Sequence, residues 1–459
     1  MAREEKTFSV EEVSKHDGKS SPEIWVTFDN QVYDITKFAQ EHPGGSVIMD
    51  AAGGPIEPYW AYWAYHLRCP KPKEFLEKYK IGKLDKSETE SVTAVESDLY
   101  ETDPKRGSEL RAYTVRPFSC ETNPSFLARS SITPAGSLYV RNHAPVPEVE
   151  KEGYGLQIEG LDGTSKEIKL SKIGSKRATL TSILQCAGNR GGEMEEIKDT
   201  AFSGTPYTGI GIGMIGNAEW GGYWLSDILK TSIPNLDTLI ENDTESKLHI
   251  IFEGADGYES SAPLKRAVEK KWGAMLADTI NGGPLPPDHG FPLRAFFPGL
   301  AGCRSVKWVT KIRVSSEEST SPWNKYYYKH ADGKSITTMP LTSMILDLTP
   351  SENAEYNLKG IAWGGGSGLG VSKVEISADS GLTWKRADLQ KHPKNPENVG
   401  KFSWQPWEAQ LTTNEIKGDH VMCRAFDTQG HGQPENPWNP KGYLYNGWHK
   451  KRLPSKHSP

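Results

Sequence analysis

The chain has 459 residues, enough for about three domains of ordinary size. Its 54 basic and 59 acidic residues nearly balance, so it lacks the basic surplus expected of a nucleic-acid-binding protein. No run reaches the roughly 18 continuous apolar residues of a membrane span. The start, Met1–Lys6, has no apolar signal core, which leaves a cytosolic protein or one whose presequence has been removed.

The five cysteines are scattered and form no CxxC pair, so neither a zinc knot nor a disulfide framework is expected. The 45 glycines, 31 prolines and 14 tryptophans favour a loop-rich, mainly β fold after the first segment.

The first predicted elements are two strands, Trp25–Phe28 and Gln31–Ile35, joined by a tight turn at Asp29-Asn30. His42 follows in the run His-Pro-Gly-Gly, where proline ends the preceding turn and the glycines let the backbone approach closely. His66 comes 24 positions later, after a series of bulky aromatic residues. Two histidines facing an apolar slot can hold haem iron from both sides, which favours electron transfer over oxygen binding. The alternative is a pair of unrelated surface histidines.

This strand, turn and histidine pattern resembles the cytochrome b5 family. The resemblance implies that residues 1–84 form a small α+β domain that binds a b-type haem through His42 and His66.

Residues 85–109 are polar, acidic and without apolar periodicity, which predicts a flexible linker. Such a tether keeps the haem unit near the next domain and leaves it free to reach an external acceptor.

The next predicted domain, residues 110–341, combines short strands with Gly-Pro loops. Cys186 follows the strand-like run Thr179–Leu184 and precedes Ala187–Arg190. A thiolate beside a cation and open backbone amides suits a soft metal or acts as a nucleophile. The alternative is a small buried hydrophobic residue.

Polar clusters flank this cysteine at Arg141–His143, at Asp256, at His289–Arg294 and at Arg304–Lys307. Arginine forks and a lysine match the geometry of phosphate and other oxyanions.

The Cys186 run and these clusters, in this order, resemble the sulfite oxidase family. The resemblance implies a mixed α+β domain that binds a molybdenum–molybdopterin cofactor, with Cys186 as a molybdenum ligand and Tyr328 as the active-site tyrosine. The residues that it places around the pterin and its phosphate are Tyr139, Val140, Arg141, Asn142, His143, Asp256, His289, Arg294, Ser305, Val306 and Lys307.

The substrate pocket departs from the family pattern. Gly191 stands where a second arginine is usual, Tyr207 where a tryptophan is usual, and Lys450 where an arginine is usual. The expected catalytic cations are therefore Arg141 and Lys450. Losing a charge-assisted bond costs roughly 1.5–3 kcal/mol, so we expect weaker sulfite binding unless Lys450, Lys451 or Arg190 compensates.

Residues 342–459 contain runs of period-two alternation at Tyr356–Trp363, Val371–Ser377 and His420–Asp427. Several short strands in this length predict an immunoglobulin-like β-sandwich. The resemblance implies that this domain forms a homodimer.

The leading functional hypothesis is oxidation of sulfite to sulfate, with electrons leaving through the haem to cytochrome c. By the same resemblance, the expected compartment is the mitochondrial intermembrane space. Two alternatives stay open, a nitrate reductase-like molybdenum enzyme and a non-catalytic haem carrier that has kept the fold. Nitrate reductases carry the haem domain after the molybdenum domain, whereas here the haem segment comes first, so we expect nitrate reduction less than sulfite oxidation.

Overall fold

The protein is described by a computed structural model covering residues 6–42, 45–62, 71–85, 100–174, 176–197, 209–352, 355–390 and 401–454. Within these residues, no helix has the length and apolar character needed to cross a membrane.

The N-terminal region is one five-stranded mixed sheet in the order β1-β5-β3-β2-β4. The predicted hairpin is confirmed, because Asp29 and Asn30 turn between β2 and β3 with φ of 47° and 59°. The strands are Thr7–Phe8 (β1), Trp25–Phe28 (β2), Gln31–Asp34 (β3), Gly54–Pro55 (β4) and Lys80–Leu84 (β5). The helices are Val10–Ser14 (α1), Thr36–Ala39 (α2), Glu57–Tyr62 (α3) and Lys71–Leu76 (α4).

The central region holds a β-hairpin, β6-β7, and two five-stranded sheets. In one sheet β10, β11, β14 and β15 follow each other and β16 pairs with β14; the other has the order β13-β12-β17-β8-β9. The strands are Leu110–Val115 (β6), Phe118–Thr122 (β7), Gly155–Glu159 (β8), Ser165–Lys169 (β9), Arg177–Gln185 (β10), Ile215–Trp224 (β11), His249–Gly254 (β12), Glu259–Pro263 (β13), Met275–Ile280 (β14), Gly283–Pro284 (β15), Arg294–Phe296 (β16) and Val309–Ser315 (β17). The helices are Pro124–Leu127 (α5), Gly191–Ile197 (α6), Leu225–Ser232 (α7), Leu236–Asn242 (α8), Leu264–Val268 (α9) and Pro322–Tyr326 (α10).

The C-terminal region consists of two four-stranded sheets, β18-β19-β23-β22 and β21-β20-β24-β25. Both sheets contribute apolar side chains, among them Leu358, Ile376 and Trp407, to one shared core, as in a β-sandwich. The strands are Thr342–Pro350 (β18), Tyr356–Trp363 (β19), Val371–Ser377 (β20), Lys385–Arg386 (β21), Asp388–Leu389 (β22), Gln405–Leu411 (β23), His420–Asp427 (β24) and His449–Arg452 (β25). The three alternating runs of the sequence thus form β19, β20 and β24.

The predicted linker is described only in part, because residues 86–99 lie outside the described residues. Residues 100–109 pack on the central region: Tyr100 is buried, and the Val146 amide donates to Asp103 at 3.0 Å. Glu109 accepts from the Ser137 hydroxyl at 2.8 Å. The last part of the polar segment is therefore attached to the domain that follows it.

Candidate active site

Cys186 lies where the long strand β10 ends. Its amide donates to the Met214 carbonyl at 3.0 Å, and its own carbonyl accepts from Asn189 at 3.1 Å, which closes a tight turn. The Gly188 amide approaches the Cys186 sulfur at 3.4 Å. Cys186 lies at a strand end with an amide donor beside its sulfur, as the sequence pattern predicted, and the residue is partly exposed.

The side chain of Cys186 opens into a cavity whose wall comes from distant parts of the central region. The predicted residues that line it are Tyr139, Val140, Arg141, His143, Cys186, Asp256, His289, Arg294, Ser305, Val306, Lys307 and Tyr328. Residues that the sequence did not single out also line it: Leu184, Tyr258, Asp288, Gly302 and Cys303. The structure therefore brings together every predicted pterin-site residue except Asn142, which is buried and hydrogen-bonded to Asp288 and Lys307 of the wall.

Three cations face this cavity, namely Arg141, Arg294 and Lys307. Arg294 donates to the carbonyls of His289 and Ser305 at 3.0 and 2.9 Å, and its buried Nε has no partner among the described residues. Burial lowers the pKa of Arg294 to about 10, so the guanidinium stays charged at neutral pH. A buried cluster of cations with a donor left over fits an anionic ligand.

Burial also perturbs Lys307, another cation of the cavity wall. It lowers the pKa of Lys307, while the carboxylates of Asp288 and Asp256 oppose that shift. An anion bound in the cavity would favour the charged lysine for the same electrostatic reason.

Tyr328 is held by a hydrogen bond of 2.9 Å between its hydroxyl and His143 Nε2. His143 stacks on Tyr258 with ring centroids 4.5 Å apart, and its edge meets Trp323 at 4.4 Å. Burial, and then the nearby cations Arg141 and Lys307, keep the pKa of His143 well below its usual value, so the imidazole is neutral. Of the three consecutive tyrosines, Tyr326 is exposed and Tyr328 lines the cavity, as expected for the latter.

The compensating cations considered from the sequence lie elsewhere. Lys450 is exposed on β25, where strand alternation turns His449 inward to accept a hydrogen bond from Ile345. Lys451 donates to the Leu346 carbonyl at 2.7 Å. The fully buried Arg190 is paired with Glu193 at 2.6 Å.

The tail nevertheless reaches the Cys186 loop through an earlier segment. The Leu444 amide donates to the Ala187 carbonyl at 2.7 Å. A Cβ atom placed on Gly191 would lie 3.6 Å from the Gly442 carbonyl. The sequence spacing singled out Lys450 as the cation that the tail brings to this loop. Lys441, next to Gly442, lies closer along the chain to the Gly191 contact. Tyr207 lies outside the described residues.

In the N-terminal region, His42 is buried near the end of α2, and the Phe38 ring meets its edge at 5.6 Å. Histidine is a haem-iron ligand, so this buried imidazole could hold one side of the metal. His66 lies outside the described residues, so the predicted pair is only half described.

The donor set of the central cavity fits the molybdenum–pterin group that the family resemblance implies. Cys186 offers a soft sulfur ligand. Arg294 and Lys307 offer charged donors for a phosphate, and the orphaned Nε of Arg294 supplies a buried hydrogen-bond donor.

Comparison with protein families shows three matches in chain order. Residues 9–85 match a cytochrome b5-like heme/steroid binding domain, residues 143–323 an oxidoreductase molybdopterin binding domain, and residues 325–456 a Mo-co oxidoreductase dimerisation domain.

Curated relatives match nearly the full length. The chain is 37% identical to the mitochondrial sulfite oxidase of Rattus norvegicus, over 96% of this chain and 83% of that protein. It is 34% identical to the sulfite oxidase of Gallus gallus, over 96% of this chain and 99% of that protein. A nitrate reductase of Brassica napus is 29% identical, and the match covers 82% of this chain but 44% of that protein.

Among solved structures, the sulfane dehydrogenase SoxCD of Paracoccus pantotrophus has a similar fold. The TM-score is 0.57 at 23% identity, over 78% of this chain and 91% of that one.

Proposed function

The chain belongs to the sulfite oxidase family, and we propose that it oxidises sulfite to sulfate at a molybdenum–pterin centre and passes the electrons singly through a b-type haem to cytochrome c. The observation that carries the proposal is the Cys186 thiol at a strand end, opening into a cavity with three cations. When bound, the molybdenum–pterin group supplies the two-electron redox chemistry, while the protein binds, orients and tunes.

In this proposal the main polar residues of the cavity have separate roles. The Cys186 sulfur would ligate the metal, and Arg294 and Lys307 would hold the anionic end of the pterin. Arg141 binds and orients the sulfite anion and offsets its negative charge. His143 fixes the Tyr328 hydroxyl towards the same space through their 2.9 Å hydrogen bond.

In the N-terminal region, His42 and His66 would hold the haem iron, and the haem would supply one-electron redox chemistry. Several relatives are named as mitochondrial sulfite oxidases, which supports a mitochondrial location for this chain. Within the mitochondrion we place it in the intermembrane space, where cytochrome c is available. The C-terminal domain joins two copies in a homodimer. The proposed division is a haem domain at 1–84, a linker at 85–109, a molybdopterin domain at 110–341 and the dimerisation domain at 342–459.

The test is sulfite-dependent reduction of the haem and of added cytochrome c by purified protein of known molybdenum content. Reduction by sulfite supports the proposal. Nitrate-dependent oxidation of the reduced haem, without a response to sulfite, would favour a nitrate reductase-like enzyme. A haem spectrum with neither response would favour a non-catalytic electron carrier.

A further inference from the structure

Arg106, in the polar segment before the central region, is bound to a residue 182 positions further along the chain. Its Nε and Nη2 donate to the two carboxylate oxygens of Asp288, both at 2.9 Å, and Nη2 also reaches Asp103 at 2.9 Å. The guanidinium lies over the Phe118 ring, 4.1 Å from its centroid. The Arg106 side chain is 14% exposed and that of Asp288 is 8% exposed, so this is a desolvated, two-pronged ion pair.

A chain of hydrogen bonds links the Asp288 carboxylate to Lys307 in the cavity wall. Asp288 Oδ1 accepts a hydrogen bond of 2.9 Å from the Asn142 side-chain amide, whose oxygen accepts from the Lys307 ammonium. A carboxylate only accepts hydrogen bonds and an ammonium only donates them, so these two neighbours fix which way the Asn142 amide points. Lys307 also donates to the Asp288 carbonyl at 3.0 Å. Both Asp288 and Lys307 line the cavity.

We infer that Arg106 is a positioning residue of the pterin site, acting through Asp288 and Asn142 to hold the Lys307 ammonium against the anionic end of the cofactor. Without Arg106, the buried Asp288 carboxylate loses its hydrogen-bonded ionic partner, while Lys307 still acts on that carboxylate electrostatically. Lys307 would then serve Asp288 instead of the ligand. This inference rests on the proposed molybdenum–pterin site and adds a residue from the supposed linker to it.

The test uses the full-length holoenzyme and measures molybdenum and iron in the same sample. Haem iron counts the chains, so the Mo:Fe ratio after extended dialysis reports cofactor retention independently of turnover. By analogy with the outer partners of metal ligands, whose loss typically costs ten- to a hundredfold in affinity, we expect Arg106→Gln to retain the cofactor about tenfold less well or worse. Arg111→Gln is the matched control, because Arg111 pairs with Glu121 nearby but its side chain is 62% exposed.

A fall of the ratio in Arg106→Gln alone supports the inference; an unchanged ratio, or an equal fall in both variants, overturns it. If Arg106→Gln does not fold, Arg106→Lys takes its place under the same criteria, since lysine keeps the charge but loses the fork. A double-mutant cycle with Asp288→Asn adds a second criterion, because effects that add fully would show that Arg106 does not act through Asp288. If purified wild-type protein contained no molybdenum, the proposed function itself would be contradicted.

Discussion

The proposed chemistry depends on the Cys186 thiol, and Cys423 offers a matched comparison outside the cavity wall. Cys186 is partly exposed to the cavity, whereas Cys423 is fully buried in the C-terminal sandwich, 3.4 Å from the Ser343 hydroxyl. We predict that Cys186→Ser abolishes sulfite-dependent haem reduction while the haem spectrum stays normal, because serine is a poor ligand for a soft metal. Cys423→Ser should retain activity. Equal activity in wild type and Cys186→Ser would contradict the site.

Gly191 offers a direct test of the missing pocket cation. Among the described residues, a Cβ atom there would meet the Gly442 carbonyl at 3.6 Å and Ile210 Cβ at 3.8 Å, both ordinary contacts. We predict that Gly191→Arg lowers the KM for sulfite on the order of tenfold, since one charge-assisted hydrogen bond contributes roughly 1.5–3 kcal/mol. Gly191→Gln adds bulk without charge and should not lower it. Steady-state kinetics of both variants decide the matter.

The lowered pKa of Lys307 predicts that the stability of the cofactor-free protein depends on pH. Burial places its pKa below that of an unfolded lysine, about 10.4. Between these two values the unfolded chain binds the extra proton, so stability rises with pH, by up to about 1.4 kcal/mol per unit. We therefore expect the melting temperature to rise more between about pH 7.5 and about pH 9.5 in wild type than in Lys307→Met. Parallel pH profiles for the two proteins would be inconsistent with a buried, depressed lysine.

The loop that carries Cys186 is fastened to the C-terminal sandwich through Arg190. Its guanidinium binds Glu193 at 2.6 and 2.7 Å, the Thr342 hydroxyl at 3.2 Å and the Gly447 carbonyl at 2.9 Å. Since the arginine is fully buried, Arg190→Ala leaves several acceptors unpaired.

We predict that Arg190→Ala lowers the free energy of unfolding by about 3 kcal/mol or more, as for other broken buried pairs. Lys230→Ala removes an ion pair with Asp237 in which both side chains are about half exposed or more, and it should cost under about 1 kcal/mol. Urea denaturation followed by tryptophan fluorescence compares them. Similar losses of unfolding free energy in the two variants would argue against a stabilising role for Arg190 between the loop and the sandwich.

Local patterns explain why many elements could be predicted. Period-two alternation and turn residues are properties of neighbouring positions, so β19, β20, β24 and the Asp29-Asn30 hairpin follow from the sequence. The Cys186 loop and the arginine and histidine clusters were recognisable as motifs. The ion pair of Arg106 with Asp288 joins a polar segment to a partner 182 positions away, and no local pattern indicates such a contact. For the same reason, spacing alone singled out Lys450, although the tail meets the Cys186 loop at residues 442–444.

These long-range contacts change where the molybdenum-binding part of the chain should begin. Composition predicts a start at residue 110, but Tyr100, Asp103, Arg106 and Glu109 all pack on the central region. A chain of residues 100–459 keeps these contacts, and one of residues 110–459 loses them together with the ionic partner of Asp288.

We predict that both chains lack the haem and fail to reduce cytochrome c through it, but that only residues 100–459 retain molybdenum. This longer chain should oxidise sulfite with a small artificial acceptor. In the shorter chain the buried Asp288 carboxylate beside the cofactor cavity would have lost its ionic partner. We therefore expect this chain to contain about tenfold less molybdenum, or less still. Metal analysis per mole of protein, with melting temperatures to compare folding, makes the comparison. Equal molybdenum in the two chains would mean that the segment before residue 110 is only a tether, because its ion pair then contributes nothing to the site.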